Sequence, residues 1–304
     1  MYPAVAADLI QENPEAQGRA VRLADLAIRA LIEEAELTPK PGLVDQRGPG
    51  AHADLSLKLM KHSARALRPH FALMALVSFR QIPNQTLREQ LGAIGRSAER
   101  SMLLATNGVN THRGAIWALG LLVSAAAMEV NSPEVLAERA GQLASLPDWN
   151  APEQQLSNGS RVIARYKISG ARGEAQAGFP HVTAAGLPRL YRSRQQGGSE
   201  TEARLDALLA IMRSLNDTCL LHRGGLVALK TAQAAAAAIL ASGGTTTIQG
   251  WGLLRGLDRD LAALNASPGG SADLLAATLF LDFIANCPIC PKLNYGTNYG
   301  KAAF

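Results

Sequence analysis

The segment from Thr38 to Asp54 concentrates charged and titratable side chains in a stretch that cannot form regular structure. Lys40, Asp45, His52 and Asp54 stand there among prolines and glycines. Proline fixes φ and removes a backbone donor, and glycine lets the backbone approach a ligand closely. Because loops on a stable scaffold commonly carry binding and catalytic groups, this composition predicts a rigid functional loop that presents carboxylates, an ammonium and an imidazole.

A second polar loop, residues 106–114, precedes a long apolar stretch. We expect Asn110 or Thr111 to cap the helix that follows, which places His112 and Arg113 in its first turn. A cation at this end opposes the helix dipole, and a bound phosphate would offset that cost. The alternative is an arginine that is simply solvated beside the cap.

Residues 267–273 repeat this logic before the last predicted helix. Ser271 can cap that helix, and Gly269 and Gly270 can form an anion-binding nest. Asp273, in the first turn, can favour the dipole or hold a cation. An ordinary proline–glycine turn followed by a capped helix explains the same residues, so the sequence alone leaves both interpretations open.

Two further glycine-containing turns pair an arginine with a carboxylate, Arg172 with Glu174 and Asp217 with Arg223. Helix N-termini offer unpaired N–H groups and a partial positive charge to phosphate oxygens, and glycine allows these groups to approach. We therefore predict that the glycine-rich loops converge on one nucleotide pocket. These loops are residues 38–54, 106–114, 169–180, 216–225 and 267–273.

Glu99 lies inside a predicted helix and not in one of these loops. Gly92, Gly95 and Glu99 share one helix face, which gives a strip without side chains that ends in a carboxylate. Such a strip suits close helix packing or a ligand edge beside a metal-binding acid, and the sequence does not choose between them.

Apolar residues recur at helical spacing through most of the chain, whereas a β-branched run is nearly confined to residues 245–248. The pattern predicts an all-α fold in a single globular multi-helix domain over residues 1–304. The predicted helices are residues 20–36, 55–79 with a break at Pro69, 87–106, 113–130, 133–146, 203–220, 226–241, 253–264 and 273–286.

The charge of the chain is dispersed. Its 304 residues carry a formal net charge of +5, only 18% of them are charged, and there is no Lys/Arg tract. This excess suits a small polyanion better than nucleic acid. Residues 114–128, the longest apolar stretch, are too few to span a bilayer, so no membrane association is expected.

Cysteine usage favours a reducing compartment. Three cysteines cannot form a disulfide framework, and no charged-then-apolar leader is recognisable, so we expect a cytoplasmic protein. Cys287 and Cys290 form a lone C-x-x-C pair, for which zinc binding and redox chemistry are minor alternatives to inert thiols. Residues 294–300 contain a near repeat without helical period, and oligomeric state cannot be inferred from the sequence.

Six motifs occur in a fixed order between Thr38 and Leu275. They are T-P-K-P-G-L-V-D, G-A-H-x-D, G-V-N-T-H-R-G-A, G-A-R-G-E-A-x-x-G-F-P, D-T-x-x-x-x-R-G-G and S-P-G-G-S-A-D-L-L. As a set they closely resemble the triphosphoribosyl-dephospho-coenzyme A synthase family. The segments 114–120 and 217–223 are more similar to the malonate decarboxylase branch of that family than to the citrate lyase branch.

The resemblance implies transfer of the 5-triphosphoribosyl group of ATP to the 2′-hydroxyl of 3′-dephospho-coenzyme A, with release of adenine. The product would be the precursor of the prosthetic group on the acyl-carrier subunit of malonate decarboxylase or citrate lyase, and enzymes of that pathway are the expected partners. ATP is then a sugar donor, in line with a sequence that has no Walker loop or kinase signature.

In such a reaction, carboxylates would stabilise positive charge on the ribose, and the attacking hydroxyl and the departing purine would need a base and an acid. The catalytic candidates are His52 as general base or acid, Glu174 as its alternative, and Asp54 and Glu99. Mg²⁺ is expected on the triphosphate and on the carboxylates of Asp45, Asp54, Glu99 and Asp273. The expected substrate ligands are Lys40, Asn110, His112, Arg113, Arg172, Arg223, Gly269, Gly270 and Ser271.

Two alternatives of other kinds fit the same residues. A Mg²⁺-dependent helical hydrolase of a nucleotide-ribosyl bond could use the loop acids to activate water in place of a hydroxyl. A non-enzymatic helical adaptor for a carrier subunit would leave those acids merely solvated. Addition of dephospho-coenzyme A distinguishes the first alternative, and a nucleotide-dependent thermal shift distinguishes the second.

Overall fold

The computed structural model of this chain describes residues 13–128, 132–151 and 157–286. Within those ranges it contains α-helices, a π-helical turn at His181–Gly186 and a 3-10 turn at Gly244–Thr246, and it contains no β-strand. The predicted all-α fold class is therefore confirmed. The helices are α1 Pro14–Glu36, α2 Leu57–Ala66, α3 Arg68–Ser78, α4 Gln85–Ala105, α5 Arg113–Ala127, α6 Pro133–Ser145, α7 Asn158–Tyr166, α8 Gly170–Gln176, α9 Leu187–Gln195, α10 Glu200–Met212, α11 Thr218–Ala241, α12 Ile248–Ala263 and α13 Gly269–Ala285.

Helices α5 and α13 form the centre of the core. Every residue of α5 from Ala118 to Ala127 is buried, and so is every residue of α13 from Leu274 to Ile284. A helix that is apolar on all sides must be surrounded by other elements, and these two helices pack against each other and against α1. Most of the buried hydrophobic side chains of the described residues form one continuous cluster.

Capping residues fix where several helices begin. The side chain of Asn13 accepts hydrogen bonds from the N–H groups of Glu15 and Ala16 at the start of α1, and Asn84 caps α4 in the same manner. Ser199 and its partner three residues later form a capping box at α10. These starts leave the polar connections between α1 and α2, between α4 and α5, and before α11 and α13 outside the helices.

Most predicted helices are present with boundaries shifted by a few residues. The predicted break at Pro69 is confirmed, because α2 ends at Ala66 and Pro69 lies in the first turn of α3. The single helix predicted over residues 203–220 is wrong. Helix α10 ends at Met212, and Asp217 caps the separate helix α11.

Polar stretches account for the other differences. Residues 245–248 form the end of the 3-10 turn and the start of α12, where Thr247 is the N-cap. Helices α7, α8 and α9 were not predicted, and Pro188 occupies the first turn of α9, where proline is tolerated. The loops predicted at 169–180, 216–225 and 267–273 are shorter than expected, because α8, α11 and α13 begin inside them.

Helix α11 is the single helix in the described ranges that is long and apolar enough to cross a membrane by length and composition. It bends at Gly225, whose φ of 63° lies outside the helical region, and it packs against α10 and α12. Cys287, Cys290 and the near repeat at 294–300 lie outside the described residues.

Candidate functional site

The loop after α1 contacts the start of α11 and the turn after α12. The Arg223 guanidinium donates to the carbonyl of Ala51 and, at 2.9 Å, to the carbonyl of Asn265, and one of its terminal nitrogens lies 3.2 Å from Nδ1 of His52. The N–H of Gly42 donates to Asp258 of α12 at 2.9 Å. Loops separated by some 170 to 220 residues in sequence therefore meet at one place.

Lys40 is fully enclosed in this loop. Its ammonium donates to the backbone carbonyl of Glu34 at 2.6 Å and to the Glu34 carboxylate at 2.5 Å, and only 2% of the residue is exposed. The Lys40 N–H donates to Asp45, whose carboxylate also receives a bidentate guanidinium from Arg47. Both predicted ligands, Lys40 for substrate and Asp45 for metal, have their polar atoms engaged by the protein itself.

The start of α13 is bound by a carboxylate from the protein. Asp217 accepts hydrogen bonds from the N–H and the hydroxyl of Ser271, at 2.7 and 2.9 Å, and from the N–H of Gly270 at 3.3 Å. A Cβ at Gly270 would lie 3.1 Å from that carboxylate. The predicted nest therefore holds an anion, and the anion is Asp217. The prediction that Ser271 is the N-cap is wrong, because Pro268 occupies the cap position.

Asp273 is the fifth residue of α13. It therefore lies beyond the first turn, in which the sequence analysis had expected it. Its carboxylate lies against the start of α5, since a Cβ at Gly114 would be 2.0 Å from Oδ2 and the N–H of Ala115 bonds to it. Burial and the charges of Glu34 and Asp217 raise the pKa of Asp273 well above its ordinary value. The loops that carry Lys40, Arg113, Asp217 and Asp273 thus converge around the N-terminus of α5.

His112 is buried next to this convergence. Its Nδ1 lies 3.0 Å from the hydroxyl of Ser63, while its Nε2 is buried without a hydrogen-bond partner. Burial and, secondarily, the positive charge of Lys40 lower the pKa of His112 to about 4. The imidazole is therefore neutral at pH 7, with one nitrogen held by the protein.

Arg113 is the first residue of α5, and His112 is its N-cap, contrary to the prediction that Asn110 or Thr111 holds that position. The Asn110 side chain still accepts a hydrogen bond from the Arg113 N–H at 3.2 Å. The Arg113 guanidinium donates to Glu99 at 3.1 Å, and both side chains are more than a third exposed. The unfavourable position of this cation at the dipole is thus offset in part by a carboxylate of α4.

A cavity of about 600 Å³ opens beside Arg113, between α4, α5, the connection that follows α6, and α8. Its charged lining consists of Arg88, Arg96, Glu99, Arg113, Asp148 and Arg172. Gly92, Gly95, Gly120 and Trp117 line it as well, so the bare strip predicted on α4 faces this space. The cavity has the size of small-ligand sites, and four guanidinium groups face two carboxylates in it.

Arg88, Arg96 and Asp148 are site residues that the sequence analysis missed. Asp148 accepts from Arg96 at 2.5 Å and lies 3.6 Å from Arg88, and it reaches them across Gly92, where a Cβ would be 2.0 Å from its carboxylate. Arg88, Gly92 and Arg96 are spaced i, i+4 and i+8, which places them on one helix face together with the predicted Glu99 strip. That spacing was the signal available in the sequence.

Asp54, His52 and Glu174 are the remaining predicted catalytic residues. Asp54 is largely exposed, with its carboxylate 4.0 Å from His52. Burial and the neighbouring Arg223 lower the pKa of His52. Glu174 is buried and accepts hydrogen bonds from the N–H and the imidazole of His181, at 2.9 and 2.7 Å. The Glu174 carboxylate is therefore engaged by His181.

The carboxylates predicted to bind metal are not gathered at one point. Within residues 13–128, 132–151 and 157–286, no three His, Cys, Asp or Glu side chains are placed to hold one metal ion. Glu99 is engaged with Arg113, and Asp45 with Arg47. A cation site made by protein groups alone does not fit this arrangement, whereas an ion that is bound mainly by phosphate oxygens needs only one or two carboxylates.

Comparison with known proteins identifies relatives over nearly the whole chain. The family profile described as ATP:dephospho-CoA triphosphoribosyl transferase matches residues 20–288. A protein of Klebsiella pneumoniae named 2-(5''-triphosphoribosyl)-3'-dephosphocoenzyme-A synthase is 54% identical over 272 residues, which are 89% of this chain and 97% of that protein. A protein of Azotobacter vinelandii named as a probable synthase of the same kind is 57% identical over 267 residues, covering 86% and 91% of the two chains. No solved structure matches.

Proposed function

This chain belongs to the ATP:dephospho-CoA triphosphoribosyl transferase family, and we propose that it moves the 5-triphosphoribosyl group of ATP to the 2′-hydroxyl of 3′-dephospho-coenzyme A. The bond between adenine and C1′ of the ribose breaks, and a bond between C1′ and the acceptor oxygen forms. The bonding electrons leave with adenine, which takes up a proton, and the acceptor hydroxyl gives up its proton. The enzyme is a pentosyltransferase.

The cavity lined by arginines is the observation that carries this proposal. A triphosphate is a chain of anionic oxygens, and guanidinium groups bind such oxygens through paired N–H donors. Arg113 stands at the cavity beside the N-terminus of α5, where Asp273 and His112 are also placed. This arrangement suits a donor whose polyphosphate lies in the cavity and whose ribose lies at the α5 N-terminus.

The acids at that terminus suit the chemistry at C1′. Displacement of adenine develops positive charge on the ribose ring, and a carboxylate nearby stabilises it. Asp273 touches the start of α5, and Glu34 lies close enough to raise its pKa. Because Glu34 is paired with Lys40, we assign Asp273 alone to the ribose, where positive charge developing at C1′ would favour its ionised form. We retain Glu174 as the alternative to His52 on the basis of the sequence.

His52 is the proposed general base for the acceptor hydroxyl. Its lowered pKa, caused by burial and by Arg223, keeps the imidazole neutral and able to take a proton. Arg223 is held by Ala51 and Asn265, so it fixes the loop that carries His52. Asp54 lies 4.0 Å from the imidazole and would stabilise its protonated form.

We propose that Mg²⁺ enters with the triphosphate, where it would neutralise phosphate charge. Glu99 lines the cavity and is the predicted ligand best placed to meet such an ion, whereas Asp54 is not part of the cavity lining and lies 4.0 Å from His52. Glu99→Gln should therefore raise the Mg²⁺ concentration needed for half-maximal activity, and Asp54→Asn should not. If Asp54→Asn raises that Mg²⁺ concentration and Glu99→Gln does not, the ligand is Asp54 and not Glu99.

The reaction is tested by the release of adenine from ATP with and without dephospho-coenzyme A. A transferase releases adenine only with the acceptor, or far faster with it, and mass spectrometry shows the joined product. Release that ignores the acceptor would indicate the hydrolase alternative. If ATP causes neither release nor a thermal shift, the adaptor alternative gains support.

We further propose that the product serves malonate decarboxylase in the cytosol. The support is the similarity of the segments 114–120 and 217–223 to the malonate decarboxylase branch. In a strain that lacks its own synthase, this chain should restore growth on malonate and not citrate fermentation. Restoration of citrate fermentation alone would contradict this assignment.

A further inference from the structure

Three arginines crowd one end of the cavity with a single carboxylate among them. Asp148 is paired with Arg96 at 2.5 Å and lies 3.6 Å from Arg88. Arg172 lines the same space and has no carboxylate partner among the described residues. Its positive charge contributes to a lowered pKa of Arg88. This end of the cavity therefore carries an uncompensated positive charge.

Arg88 is the most enclosed of the three. The residue is 8% exposed, and its Nε is buried without a hydrogen-bond partner. Burial and the charges of Arg172 and Arg96 lower the pKa of Arg88, while Asp148 opposes that effect. A buried guanidinium with a free N–H and like charges around it is stabilised by an anion, and a phosphate with several oxygens can bind two such groups at once.

The position of these three arginines relative to Arg113 indicates how a bound polyphosphate would be oriented in the cavity. Trp117 follows Arg113 by one turn of α5, about 6 Å. The Arg88 guanidinium lies over the Trp117 ring, 5.5 Å from its centroid. Arg113 is 45% exposed at its side chain and Arg88 is 10% exposed, so the cavity runs from the α5 N-terminus towards an enclosed end.

We propose that Arg88, Arg96 and Arg172 bind the terminal phosphate of the donor triphosphate and thereby select ATP over ADP. This inference rests on the proposed function, which places the ribose at the α5 N-terminus. The phosphate furthest from the ribose then reaches the enclosed end. Asp148 positions Arg88 and Arg96, and Gly92 leaves it the room to do so. ADP ends before these arginines and gains nothing from them.

The test compares Arg88→Lys, Arg96→Gln and Arg172→Gln with a control, Arg100→Gln, in which an exposed arginine of α4 outside the cavity lining is changed. The measured quantities are the apparent KM for ATP and the inhibition constant of ADP in the adenine-release assay. In the three variants the KM for ATP should rise by about tenfold or more, while the ADP constant stays the same. The control should match the unaltered chain in both.

Two results would overturn the inference. Equal weakening of ATP and ADP would mean that the arginines hold an inner phosphate or the fold. A rise in the KM for dephospho-coenzyme A alone would assign them to the pyrophosphate of the acceptor.

Inorganic triphosphate provides a binding test that is independent of turnover. It should raise the Tm of the unaltered chain and of Arg100→Gln, and not that of Arg96→Gln or Arg172→Gln, whose arginines are exposed enough to leave folding intact. If the unaltered chain releases no adenine and this pattern appears, the reaction is wrong and the anion site stands. If adenine is released and neither measurement separates the variants from the control, the reaction stands and the anion site is wrong.

Discussion

The carboxylate of Asp217 accepts a hydrogen bond from the N–H of Ser271 at 2.7 Å, and so joins the starts of two helices. It also accepts from the N–H groups of Cys219 and Leu220, at 2.8 and 3.3 Å, as the N-cap of α11. Burial raises the pKa of Asp217 while these hydrogen bonds lower it. One buried side chain thus stabilises two helix N-termini that are 51 residues apart in sequence.

Replacement of Asp217 should therefore cost more than the loss of an ordinary cap. Asp217→Ala should lower the free energy of unfolding by about 3 kcal/mol, because both helices lose their acceptor. Asn84→Ala, which removes a cap from α4 alone, should cost about 1 kcal/mol. Urea denaturation followed by circular dichroism measures both, and equal losses would contradict the double role.

His112 should make the protein less stable in acid. The unfolded chain takes up this proton near pH 6.5 and the folded chain only near pH 4, so the unfolded state binds more protons between these values. The free energy of unfolding should fall by about 3 kcal/mol from this residue as the pH drops through that window.

The comparison of two variants isolates the contribution of His112. His112→Gln should flatten the pH dependence of urea denaturation between pH 6.5 and 4.5, whereas His62→Gln, which changes an exposed histidine of α2, should leave it as it is. Identical pH profiles for His112→Gln and the unaltered chain would show that the imidazole is solvated.

A methyl group at Gly114 should displace Asp273. The added Cβ would lie 2.0 Å from Oδ2 of Asp273, so the carboxylate must leave the start of α5. Gly114→Ala should lower adenine release strongly and stability by about 1–3 kcal/mol. Gly256→Ala in α12, where a Cβ meets open space, should keep activity and raise stability by up to about 1 kcal/mol. Full activity of Gly114→Ala would separate Asp273 from the reaction.

Arg113→Ala should raise the apparent KM for ATP by about tenfold, because a charge-assisted contact to phosphate is lost at the cavity. Steady-state adenine release at varied ATP concentration measures this change. Arg255→Ala, on the exposed face of α12, is the matched control and should leave KM unaltered. An unaltered KM in Arg113→Ala would instead make this arginine a solvated residue paired with Glu99.

The sequence was sufficient to predict the helices that have a strong apolar pattern or a clear break. The apolar run that begins at Arg113 becomes the buried helix α5, and the proline at 69 separates α2 from α3. Short polar helices such as Gly170–Gln176 were missed, because seven residues rich in glycine have no periodic face and are held by packing against α6.

For the site, the sequence indicated which loops meet but not which of their groups are already paired. The acceptor at Gly270 is Asp217, and the partner of Lys40 is Glu34, a residue inside α1 that carries no loop signal. Such pairings depend on the tertiary structure, which the spacing of residues in a local segment does not reveal. Arg88 and Arg96, eight residues apart in α4, share a helix face that the spacing in the sequence does indicate.

The contacts of Lys40 also bear on the order in which the loop after α1 assembles. Lys40 contacts Glu34 and Asp45 across six and five residues, whereas the same loop reaches Asp258 and Arg223 across 216 and 171 residues. Closing a short loop costs less chain entropy than closing a long one. The turn that contains Lys40 should therefore form together with α1, and α11 and α12 should pack against it later. Substitutions of Lys40 should then lower the folding rate, whereas substitutions of Arg223 should chiefly raise the unfolding rate.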